Sequence, residues 1–128
     1  MKSFNITVMA EGNFLHVSVT GKNTVENVRH YLEEIYKTCA ERGFSAVLIE
    51  ENLSGPSLPP AEAYKIVTKA SALTSPILNK IAYVDINPEH LPSIADLGET
   101  VARDRGANVR VFRDVGEAEE WLLLSETS

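Results

Sequence analysis

Three short apolar stretches, each passing into a segment of helical periodicity, constrain this chain more than any other feature. Ala46-Val47-Leu48-Ile49 is apolar without alternation and ends in Glu50-Glu51. That is the pattern of a strand covered on both faces. Ile81-Ala82-Tyr83-Val84-Asp85-Ile86 reads the same way, and Asn108-Val109-Arg110-Val111-Phe112 reads as a last strand. Strands that alternate with helices need crossover connections, right-handed by rule, and therefore lie parallel in one sheet with helices packed around it.

The N-terminal segment differs. Phe4–Met9 places apolar residues at every second position, and Phe14–Val19 is a further strand. Glu11-Gly12-Asn13 between them signals a hairpin, so an antiparallel pair opens the chain.

Four helices are expected. In the first, Val25, Val28, Leu32, Ile35, Tyr36 and Cys39 form one apolar stripe, Asn23 and Glu26 have capping-box spacing, and Gly43 is a left-handed terminator. The second follows the Ser-, Pro- and Gly-rich loop 52–60 and runs roughly Ala61 to Leu73, with Pro60 in its first turn. Asn87-Pro88 opens the third, which carries Leu91, Ile94, Val101 and Ala102 and ends at Gly106. Asp114 and Glu117 open the last, which carries Ala118, Trp121 and Leu122. The expected architecture is α/β: a mixed, mostly parallel five-stranded sheet with an N-terminal hairpin and four helices, in one domain over 1–128.

Charge narrows the function. With 12 Lys+Arg against 18 Asp+Glu the net charge is -6, and no basic run offsets it. Phosphate backbones and anionic lipid surfaces are repelled, so no nucleic-acid partner is expected. No apolar run approaches the roughly 20 residues of a membrane helix, so integral membrane association is not expected. The N-terminus does not read as a signal peptide, and the single cysteine, Cys39, cannot form an internal disulfide; a cytoplasmic protein is expected.

Two segments carry a family likeness. Lys80-Ile81-Ala82-Tyr83-Val84 is one; Val109-Arg110-Val111-Phe112-Arg113-Asp114 followed by Glu117-Ala118-Glu119-Glu120-Trp121-Leu122 is the other. Together with the element order they resemble the SpoIIAA-like proteins of the STAS (anti-sigma-factor-antagonist-like) fold. The resemblance implies a non-catalytic bacterial regulatory module that binds a kinase-like or anti-sigma-like protein. It also implies a switch by phosphorylation of a serine in an Asp-Ser-Ser-Gly-like motif after a buried strand. The equivalent stretch here, Asn52-Leu53-Ser54-Gly55-Pro56-Ser57-Leu58, lacks the Asp-Ser pair and carries prolines.

Candidate site residues follow. Ser54 and Ser57 are the candidate phosphorylation or partner-binding positions, since a phosphate there would meet a helix N-terminus. Ser57 equally suits a helix cap, and Ser54-Gly55 a turn. Trp121, Leu122 and Leu124 belong to a run of four large apolar residues that one helix face cannot bury. They form a candidate contact surface, such as a homodimer patch. Tyr64, Leu73, Ile77 and Leu78 could line a pocket for a small apolar, lipid-like ligand, the alternative function.

Glu50, Glu51, Asp85 and Asp114 fall near strand C-termini, where ligands of open parallel sheets gather. Solvated carboxylates explain them without a metal, and Asp114 also reads as a cap. His16, His30 and His90 show no metal-ligand spacing, and Cys39 reads as a core residue. No nucleophile–base pair can be assembled from spacing, so no catalytic residue and no cofactor are expected.

Overall fold

The computed structural model describes residues 3–74 and 77–124. Strand β1 (Phe4–Glu11) pairs antiparallel with β2 (Phe14–Lys22). Helix α1 (Val25–Arg42) leads to β3 (Ala46–Ser54), α2 (Pro60–Thr74) to β4 (Lys80–Asp85), and α3 (Pro92–Asp104) to β5 (Val109–Phe112), after which α4 (Val115–Leu123) closes the fold. The five strands form one sheet in the order β1-β2-β3-β4-β5, and β2 through β5 run parallel to one another. The expected α/β architecture is therefore the observed one.

Strand β3 is central, which explains its unbroken apolar start. Val47 and Ile49 face the core beneath α1 and α2, while Ala46 and Leu48 face the smaller core beneath α4. The larger core joins Leu15, Val17 and Val19 of β2 to Tyr31, Ile35 and Cys39 of α1. The smaller one packs Ala82 and Val84 of β4 against Ala118 and Leu122 of α4.

β3 extends five residues past Ile49 and stays paired with β2 as far as Lys22↔Ser54. Beyond Ile49 only one face is covered, so burial alternates: Glu51 and Leu53 point in, while Asn52 and Ser54 are exposed. The apolar run stops where cover of the α4 face stops, not where the strand does.

Helix boundaries follow capping chemistry. The α1 cap is Thr24 rather than Asn23: its hydroxyl accepts from the Asn27 amide at 3.1 Å. Asn23 instead donates through Nδ2 to the Pro56 carbonyl at 2.8 Å. The chain leaves α1 through Gly43 in the left-handed conformation (φ 75°), where glycine has no Cβ penalty. Helix α3 begins at Pro92, not at Pro88, because Asn87 is used in a turn: its Oδ1 accepts from the Glu89 amide at 2.9 Å. Asp114 caps α4 as expected, accepting from the Glu117 amide at 3.0 Å.

Gly21 is required for a different reason. Its φ is 139°, and a Cβ there would lie 2.8 Å from Phe4 Cα, so a side chain would push β1 away at its start.

The apolar run at the end of α4 divides. Leu122, expected at a contact surface, is 1% exposed and belongs to the smaller core, because its helical position faces the sheet. Trp121 is half-buried against Phe112, with ring centroids 5.6 Å apart. Leu123 and Leu124 are the residues left facing outward.

Candidate ligand-binding site

A buried carboxylate organises the C-terminal end of the parallel strands. Glu51 on β3 and Asp85 on β4 are register partners and point to the face covered by α1, α2 and α3. Tyr83 lies one pleat back on β4, opposite Ile49. Its hydroxyl donates to Glu51 Oε1 at 2.6 Å, and the Tyr31 hydroxyl, brought in by α1, donates to Glu51 Oε2. Glu51 is 4% exposed and Tyr31 1%. Burial disfavours the charged forms, so it pushes the Glu51 carboxyl up; the two phenol hydrogen bonds oppose this without cancelling it. Burial and the Glu51 charge push both phenols well above their ordinary range, so both remain donors.

The turn after β4 brings His90 to the same place. Asp85 Oδ1 accepts from the Asn87 amide at 3.0 Å, and Asn87 Oδ1 accepts from the Glu89 amide. These nested side-chain-to-backbone turns fold the chain back. His90 Nδ1 then lies 2.7 Å from Asp85 Oδ2, and Nε2 lies 2.8 Å from the Gly55 carbonyl oxygen. A carbonyl and a carboxylate are both acceptors, so the ring that satisfies both is the imidazolium, donating from each nitrogen. Burial alone would lower the His90 pKa, but the Asp85 hydrogen bond and charge, the Gly55 carbonyl and Glu51 together raise it.

The same turn is tied to the loop after β3. Asn87 Nδ2 donates to the Leu53 carbonyl at 2.7 Å, and the Leu91 amide donates to Ser57 Oγ at 2.8 Å. Ser57 therefore does not cap α2, which starts three residues later at Pro60; its hydroxyl holds the segment that precedes α3.

Behind this polar cluster lies a cavity of about 160 Å³ between the sheet and helices α1, α2 and α3. Ile35, Ile49, Ile66, Leu78, Ile81 and Ala102 form much of its wall. Tyr31, Glu51, Tyr83, Asp85 and His90 form its polar end, and its described lining residues include neither Lys nor Arg.

Of the residues expected at a pocket, Leu78 lines this cavity. Ile77 packs against the main core from outside the lining. Tyr64 is exposed, with its hydroxyl accepting from Arg105 Nη2 at 3.1 Å, and Leu73 lies on a separate groove between α1 and α2. These two stand on α2 turns that face away from the sheet. Ser54 is exposed, and its hydroxyl donates to the Gly21 carbonyl at 3.1 Å. Of the four acidic residues near strand ends, only Glu51 and Asp85 meet. Glu50 points to the opposite face, where it and Glu11 flank His16 at 2.8 and 3.1 Å. Cys39 is fully buried, and burial pushes its thiol up to about 11.

The strand order and the ββαβαβαβα succession are those of a SpoIIAA-like α/β fold. The chain is similar in structure to an uncharacterized protein from the DUF3478 family, with a SpoIIAA-like fold, from Shewanella loihica PV-4. The TM-score is 0.54, with 15% identity over 95% of each chain, a likeness of fold alone. No family model matches the chain, and no curated protein does. Among the described residues, no helix is long and apolar enough to cross a membrane.

Proposed function

We propose that this domain is a non-catalytic binding module for a small, mostly apolar molecule. The observation that carries this reading is the cavity, about 160 Å³ with a largely aliphatic wall and one polar end. An aliphatic-lined space of about 150 Å³ stays dry and accepts benzene. Pockets for drug-sized ligands begin near 300 Å³. The occupant is therefore the size of a single ring or a short branched chain, well below a long-chain fatty acid.

The test is a thermal-shift and calorimetric titration with toluene and indole, on the wild type and on Ala95→Phe. Ala95 lines the cavity from α3, and a phenyl ring there occupies the space. Binding and a raised Tm in the wild type, both lost in the folded variant, are expected. No binding by the wild type at millimolar ligand would overturn the reading.

A second reading, a regulatory module that binds a kinase-like or anti-sigma-like protein, is supported by one feature. Ser54, Gly55 and Pro56 are exposed at and just after the end of β3, where the Gly55 carbonyl meets His90. Pull-downs with the wild type and with Ser54→Asp should recover different partners; identical recoveries count against this role.

A further inference from the structure

The polar end of the cavity is built for a particular head group. Glu51 and Asp85 bring two carboxylates to it, and His90 supplies the only positively charged side chain among the described lining residues. His90 is already committed, with both ring nitrogens on acceptors, Asp85 Oδ2 and the Gly55 carbonyl. Glu51 is hydrogen-bonded by two neutral phenols, and it shares the single imidazole with Asp85: ligand atoms of Glu51, Asp85 and His90 all lie within 4.8 Å of one another, two carboxylates to one cation. A third carboxylate on the lining, Glu99, accepts from the Val111 amide at 2.7 Å and also borders an outer groove with Arg103 and Arg110, so the unbalanced charge is that of the Glu51–Asp85 pair.

An anionic head would meet this excess of negative charge in a low-dielectric site, where like charges repel strongly. A carboxylate ligand such as a fatty acid is thus disfavoured by charge as well as by size. A neutral hydroxyl would gain one ordinary hydrogen bond. An ammonium group would supply the missing counter-charge and donate up to three hydrogen bonds to oxygen acceptors, of which Glu51 has lone pairs beyond the two its tyrosines use.

We propose that the cavity binds a small primary amine, with its apolar body against the aliphatic wall and its ammonium group at Glu51 between Tyr31 and Tyr83. This inference rests on the binding role proposed above and adds the chemical class of the ligand.

The experiment is calorimetric titration of the intact chain with benzylamine, benzyl alcohol and benzoate, which share one ring and differ in the head. Benzylamine is expected to bind at least about tenfold more tightly than benzyl alcohol, and benzoate more weakly than either. In Glu51→Gln the preference for the amine should vanish while benzyl alcohol keeps its wild-type affinity. Asp85→Asn serves as the second variant should Glu51→Gln not fold, and it should reduce the preference by weakening the same negative field.

Equal binding of amine and alcohol by the wild type overturns the amine assignment and leaves the apolar cavity role standing. So does a preference that survives in both variants. If none of the three compounds nor toluene binds, the binding role itself falls, and the amine assignment with it.

Discussion

Glu51 and Asp85 are matched neighbours on adjacent parallel strands, yet they are held by different chemistry. Glu51 takes two phenol hydroxyls from α1 and β4, and Asp85 takes an imidazole from its own following turn. One carboxylate is thereby fixed by long-range packing and the other by a local turn, and substitutions around each should behave differently.

Tyr31→Phe removes one donor from a buried carboxylate. It should destabilise the protein by about 1–3 kcal/mol, the cost of a lost hydrogen bond to a buried acceptor. Tyr64→Phe, at an exposed hydroxyl on α2, should stay within about 0.5 kcal/mol. Urea denaturation of the two variants compares them; equal effects would mean that the Glu51 contact adds nothing.

His90→Ala should show a pH-dependent cost. The folded-state pKa of His90 lies above its ordinary 6.5. Its stabilising contribution is therefore fully present below the unfolded pKa and is lost as pH rises through the folded one. The variant should be less stable than the wild type by about 1–3 kcal/mol near pH 5.5, and the gap should narrow by pH 9. A gap that widens with pH would show that the neutral ring is the favoured form.

Leu122→Ala empties part of the core beneath α4 and should cost about 2–5 kcal/mol. Leu124→Ala, two residues on and 61% exposed, should change stability by no more than about 0.5 kcal/mol. Thermal melts of both variants check the split.

Gly21→Ala forces a side chain onto backbone at φ 139° and against Phe4 Cα. It should cost more than about 1 kcal/mol and loosen the start of β1. Hydrogen exchange of the Phe4–Val8 amides reads this directly; unchanged protection would mean that the strand shifts freely to make room.

Cys39 should resist alkylation in the folded protein at pH 8, since its thiol is fully buried and raised to about 11. Iodoacetamide labelling followed by mass spectrometry should report modification only on unfolding.

Architecture was readable from the chain because its signals are local. Continuous apolar runs mark the central strands, and Gly43 and Asp114 mark helix ends that the structure keeps. The site was less readable because its parts are joined by tertiary packing. Glu51 falls just past the apolar run, at a position that looks like a solvated strand end until β3 is followed to Ser54 with a period of two. An acidic residue in phase with Ile49 and Leu53 was the available sign. The expected α1 stripe omits Tyr31, although its spacing to Val28 and Ile35 puts it on the same buried face. His90 reaches Asp85 only because nested turns at Asp85 and Asn87 reverse the chain, and histidine spacing alone does not encode that reversal.

The end of cover by α4 midway along β3 also separates two environments by a single residue step. Glu50 looks out beside His16, Glu51 looks into the cavity, and Asn52 looks out again. A fluorophore attached at Asn52 would ride on the same rigid strand as the buried carboxylate without entering the cavity. The bare half of the sheet thus offers a reporting position for whatever occupies the other side.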